Sequence, residues 1–136
     1  MTFGLEKIPG VDAKDETVWM VRAMSSDGRC PVLSKLREWM HERPQDYRAI
    51  MKVLRLAAGQ KQVRNQKHVK RSENPADGKV YEALAYSLVA RVMFFYDDRR
   101  TSKYLICVVP YEKGRGDQSS VFRQCANLRD LYLASS

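Results

Sequence analysis

The sequence predicts a small α+β domain, and three observations lead there. Between Lys79 and Pro110 it writes three short runs, KVYEALAYS, ARVMFFYD and KYLICVVP, whose length and β-branched and aromatic content read as strands. Ahead of them, from Pro31 to Ala58, apolar residues recur at helical spacing in two segments. A third helical pattern closes the chain from about Ser119. The order β-α-α-β-β-β-α sets two N-terminal helices and a C-terminal helix on one face of a mostly antiparallel sheet. A chain of 136 residues favours one domain with one modest core.

Each element has a local reason. Met1 to Glu16 carry Pro9, Gly10 and scattered charges without a sustained period, and are expected to form a flexible leader ahead of a domain over 17–136. Thr17 to Met24 (TVWMVRAM) reads as a first strand anchored by Val18 and Trp19. In SSDGRC the Ser, Asp and Gly favour a tight bend. Pro31 can open a helix at its first position, where a missing N–H costs nothing. Val32, Leu36, Trp39 and Met40 form its apolar face, and HERP ends it because a residue before proline avoids the helical region.

The second helix runs from Pro44 to Ala58, with Tyr47, Ile50, Val53, Leu54 and Ala57 as its stripe and Gly59 just past its end. The short connection makes the two helices an antiparallel pair. Gln60 to Asp77 is polar and basic, broken by Asn74 and Pro75, and reads as a loop. The turn DDRRTS (Asp97 to Ser102) joins the last two strands, while Ser87 to Ala90 lacks the Gly or Asn of a tight hairpin. In the closing helix Phe122, Cys125, Leu128 and Tyr132 share a face.

Composition narrows the function. Lys and Arg number 24 against 16 Asp and Glu, a net charge of +8. That excess favours a polyanion or an acidic protein as partner. Cys30, Cys107 and Cys125 are odd in number and contain no CxxC, which speaks against a disulfide framework or a zinc site and fits a reducing cytoplasm. Cys107 and Cys125 read as small buried hydrophobes. No apolar stretch reaches the roughly 20 residues of a membrane span, and the N-terminus lacks a secretory h-region.

The cations are placed around the strands. RNQKHVKR (Arg64 to Arg71) precedes them, YEKGR (Tyr111 to Arg115) follows them, and Arg91 starts the central one. A charge entering a buried strand is costly without an anionic partner. A phosphate would serve; so would an ion pair with Glu82 or Asp97. His68 is flanked by cations, which favours a neutral, proton-accepting imidazole, and the alternative is a surface histidine without a role. Arg64, Lys67, Arg71 and Arg115 suit nucleic-acid backbone contacts, which need only their charge.

Four motifs in order resemble the small toxins of type II toxin–antitoxin systems, the RelE/ParE superfamily, in its HigB-like branch. They are GRCPVLSKLREW after the first strand, NQKHVKR upstream of the sheet, the pair VYE and ARVMFFYDDRR, and the apolar strand leading into YEKGR and a closing helix. Together they cover about residues 17 to 133. The resemblance implies a small twisted sheet with two N-terminal helices and a C-terminal one. It also implies a ribosome-dependent mRNA endonuclease that uses no metal or other cofactor, with a cognate antitoxin protein as partner.

Metal-free RNA cleavage needs a base for the 2′-OH, a cation for the phosphorane and a proton for the leaving 5′-oxygen. The resemblance assigns these roles to His68, Lys70, Arg91 and Lys113, with Arg91 on the scissile phosphate. The chain departs from the pattern in three places, the first being that VYEALAYS has neither of the two strand lysines that RelE-type members carry near it. Glu82-Ala83-Leu84 stands where the family carries an arginine after its glutamate, and Lys113 is a single lysine where the family has two. Those departures favour a rival expectation, a RelE-fold binding module, catalytically weakened or inactive, that engages nucleic acid or an acidic protein. A gyrase-directed toxin is a third.

Overall fold

The computed structural model describes residues 1–11 and 17–135. The elements run β1 (Phe3–Lys7), β2 (Met20–Ser26), α1 (Pro31–Glu42), α2 (Pro44–Ala58), β3 (Val69–Arg71), β4 (Tyr81–Leu84), β5 (Ala90–Asp97), β6 (Tyr104–Glu112) and α3 (Gln118–Ser135). A 3₁₀ turn at Pro75–Asp77 lies between β3 and β4. The strands form one sheet in the order β1-β2-β6-β5-β4-β3. Neighbours are antiparallel except β2 and β6, which run parallel. The α+β class, with two helices early and one at the end, is the one the sequence predicts.

Proline sets both early helices. Pro31 and Pro44 each occupy the first turn of a helix, and Arg43 closes α1 and opens α2. A helix cannot run through Pro44, which lacks the N–H and crowds the preceding turn. Asp46, in the first turn of α2, reaches the sheet. Its carboxylate accepts the N–H groups of Val89 and Ala90 at 2.8 and 2.9 Å. Those two donors head β5, so the start of α2 is tied to the turn between β4 and β5.

The helices cover both faces of the sheet rather than the single face expected. On one side Trp39, Ile50 and Leu54 of α1 and α2 share a core with Val92, Phe94 and Leu105. On the other, Phe122, Cys125 and Ala126 of α3 share one with Met93, Phe95 and Ile106. Alternate residues of a strand point to opposite faces, so the unbroken apolar run of β5 serves two cores. A run without polar alternation already implies two covered faces.

Three further expectations change. The leader over residues 1–16 contains β1, paired with β2 from Phe3 opposite Ser26 to Lys7 opposite Arg22. Phe3 and Leu5 pack against the α3-side core, while Ile8 and Val11 are buried in the other. An alternation of five residues is too short to stand out as a period. Residues 12–16 lie outside the described residues. The first strand begins at Met20 instead of Thr17, because the N–H groups of Val18 and Trp19 both go to the Ala58 carbonyl at the end of α2 (2.8 and 3.0 Å). Finally, the loop over Gln60–Asp77 holds β3, an edge strand of three residues. No helix is long and apolar enough to cross a membrane among the described residues.

One core residue carries an internal cost. The Tyr96 hydroxyl is buried without a hydrogen-bond partner among the described residues, and burial pushes its phenol up to about 12. Its ring packs on Trp19 at 4.4 Å between centroids. Tyr96→Phe keeps the ring and removes the unsatisfied hydroxyl, whose burial costs about 1–3 kcal/mol. Urea denaturation is expected to find the variant more stable than the wild type by about 1–3 kcal/mol. The wild type should also lose stability above about pH 10, where the unfolded chain releases the phenol proton first, a loss the variant lacks. A variant less stable by more than about 1 kcal/mol at neutral pH would mean that the hydroxyl has a partner after all.

Candidate functional site

Two cross-strand rows meet on the α3 face. In one, Lys70 lies opposite Glu82, and Glu82 opposite Met93. In the other, Leu84 lies opposite Arg91, and Arg91 opposite Tyr111. The Leu84 N–H donates to the His68 carbonyl at 2.9 Å, which brings His68 into line with that row. Lys113 is held just beyond β6 by its own N–H on the Val89 carbonyl at 2.8 Å. Directly opposed residues share a face. Lys70, Glu82, Arg91, Tyr111 and Lys113 accordingly line one cavity of about 180 Å³, together with Gly114, Gly116 and Gln118.

Glu82 is the floor of that cavity and only 1% exposed. The Tyr111 hydroxyl donates to its Oε2 at 2.5 Å, and the Gln118 amide donates to both oxygens at 3.1 Å. Arg91 Nε stands 3.8 Å from Oε1. Burial, and then the Glu82 carboxylate itself, push the Tyr111 phenol far above its ordinary value, so Tyr111 remains a donor. A carboxylate so surrounded has fixed lone pairs and few ways to rotate.

Arg91 is 6% exposed and largely committed to its own chain. Its Nη1 donates to the carbonyls of Ala85, Leu88 and Ala90 at 3.3, 3.1 and 3.0 Å. The pairing with Glu82 is one of the two ion pairs anticipated for it. The other does not form, since Asp97 is held by Arg99 and Tyr132. Arg91 also lines the cavity. It thus pins a turn and brings charge to the cavity.

Around this cavity three cations face one carboxylate. A second cavity of about 740 Å³ adjoins it, sharing Lys70 and Gln118. It opens between β3, the segment Ser72–Gly78 and the start of α3, and Arg71 and Ser119 also line it. Its far wall is locked by Asp77. That buried carboxylate accepts from the Ser72 hydroxyl at 2.5 Å and from Arg123, while Arg129 Nη1 donates to the Asp77 carbonyl at 2.7 Å. Gly78, at φ +70°, lets the chain turn directly beneath Arg129, whose Nη1 would stand 3.1 Å from an added Cβ.

Of the four catalytic candidates from the sequence, Lys70, Arg91 and Lys113 come together and His68 does not line the cavity. His68 is half-buried just before β3. Of the four binding candidates, Arg71 adjoins the site, whereas Arg64 and Lys67 are exposed on the segment before β3. Arg115 leans away, toward Glu112 at 3.6 Å, a carboxylate that also accepts from Trp39 Nε1 at 3.0 Å on the α1 side. Sequence reasoning missed Glu82, Tyr111 and Gln118 as site residues. The available signal was Glu82 itself, a lone carboxylate in an otherwise apolar strand, which needs donors wherever it is buried. No group of three or more His, Cys, Asp or Glu is placed to hold a metal ion among the described residues. Comparisons with protein-family models, curated proteins and solved structures find no match to this chain.

Proposed function

We propose that this chain is an endoribonuclease that cuts RNA, in the first instance message on the ribosome, by 2′-OH transesterification carried out by side chains. One observation carries the reading. Lys70, Arg91 and Lys113 come from separate segments of the chain and converge on one small cavity floored by Glu82. With a phosphate at the cavity and the exposed Gln118 amide turned off the carboxylate, Glu82 takes the 2′-OH proton and the 2′-oxygen attacks phosphorus. Arg91 and Lys70 oppose the charge that builds on the phosphorane oxygens, and Lys113 supplies the proton to the departing 5′-oxygen. The P–O5′ bond breaks, leaving a 2′,3′-cyclic phosphate and a 5′-hydroxyl. This shifts the base role from His68 to Glu82.

The deciding experiment incubates the purified protein with RNA, with and without translating ribosomes, and identifies the new ends. Cyclic phosphate and 5′-hydroxyl termini are expected. No cutting in either condition, or 5′-phosphate ends, removes the proposal. A second reading, an RNA-binding module without catalysis, is favoured by the three carbonyls that occupy Arg91 Nη1. It would give salt-dependent binding and intact RNA.

His68 separates the two base assignments. His68→Ala is expected to slow cutting less than about tenfold, since a group outside the cavity can help only through the local field; a general base contributes about 10²–10⁴-fold. A loss beyond a hundredfold would return the base role to the imidazole.

A further inference from the structure

We infer that Tyr86 is a stacking platform for an unpaired base of single-stranded RNA, set beside the phosphate cavity. The inference rests on the RNA reading of that cavity and names the form of RNA it takes. Tyr86 is 56% exposed, and it is the only exposed Phe, Tyr or Trp among the described residues. It sits on the turn between β4 and β5, and that turn is held from several sides. Arg91 Nη1 binds the carbonyls of Ala85, Leu88 and Ala90, Asp46 binds the N–H groups of Val89 and Ala90, and the Leu88 N–H closes on the Ala85 carbonyl at 2.9 Å. An exposed ring on so constrained a backbone loses little freedom when a ligand covers it.

The surroundings select the ligand. The Lys67 ammonium lies 5.1 Å from the ring centroid, so cationic charge accompanies the π-face, the pairing that single-stranded nucleic acid uses. Arg91 links the ring to the cavity. The same guanidinium that lines the phosphate site holds the carbonyl of Ala85, the residue before Tyr86. Tyr86 therefore follows directly on a residue held by the cavity's own guanidinium, while its ring stands outside the cavity lining. In a duplex both faces of each base are already stacked, so duplex RNA gains nothing from the ring.

The test measures fluorescence-anisotropy titrations of a short single-stranded RNA, 2′-O-methylated so that it cannot be cut. Tyr86→Ala is expected to weaken binding about 5- to 100-fold and Tyr86→Phe to leave it within about twofold, because stacking needs the ring and not the hydroxyl. Abasic nucleotides scanned along the RNA should weaken wild-type binding at one position and leave Tyr86→Ala unaffected there. Tyr86→Ala binding as tightly as the wild type overturns the inference while the RNA site stands. A wild type that binds no single-stranded RNA also overturns the inference, and the cutting assay with ribosomes then decides the RNA reading separately.

Discussion

Glu82→Gln is expected to reduce RNA cutting about 10²–10⁴-fold, the usual share of a general base, while the protein stays folded and still binds RNA. Glutamine has nearly the shape of glutamate and can still accept the Tyr111 hydroxyl through its amide oxygen. Gln118, which donates to both Glu82 oxygens, is exposed and free to turn its own amide about. What disappears is the proton-accepting carboxylate and one negative charge beside three cations. Phosphate should therefore bind at least as tightly as before, because the opposing charge at the cavity floor is gone. Rate and affinity moving in different directions is the diagnostic pattern. Single-turnover cutting and anisotropy on the same preparation, with a thermal melt as control, measure it. Wild-type cutting by Glu82→Gln would reduce Glu82 to the buried counter-ion of Arg91.

Asp77→Ala is expected to destabilise the fold by about 2–4 kcal/mol. The carboxylate is 1% exposed and joins Ser72, Arg123 and, through its main-chain carbonyl, Arg129. Removing it takes the acceptor away from the buried Ser72 hydroxyl and the ion-pair partner from Arg123, and leaves α3 tied to this segment through Arg129 on the main-chain carbonyl of residue 77. For a domain of this size the melting temperature should fall by roughly 10 °C. The loss should depend on pH. Burial raises the Asp77 carboxyl, but the Ser72 hydroxyl and the Arg123 guanidinium outweigh it and hold the group below its ordinary value. A depressed folded value means stability that is present above the unfolded pKa, near about 4. That stability is lost as the pH falls through the folded value. Wild type and Asp77→Ala should therefore differ at neutral pH and converge in acid. A constant gap from pH 7 down to acid unfolding would show that the charge contributes nothing.

Legibility differed by element. The helices α1 and α2 were readable with their proline starts and approximate ends, because prolines and a stripe repeating every three to four positions are local signals. Strand β5 was readable at both ends, β6 within two residues, and β4 as an element whose predicted run extends past it at both ends, by up to three residues. β1 and β3 were not, since strands of five and three residues gain their stability from a partner distant in the chain. The site was half legible. Lys70, Arg91 and Lys113 stand out as cations next to strands, whereas Glu82 looks like one acid among 16.

By itself the amino-acid order determined the class of fold, the boundaries of the proline-started helices, and the excess of positive charge around the strands. The tertiary structure alone decided which of those charges face one another. The reason is the period of two along a strand, which a register slip of one residue would invert. The pairing of Lys70 with Glu82 and of Arg91 with Tyr111 gathers those side chains on the α3 face, and no local stretch of sequence encodes that pairing.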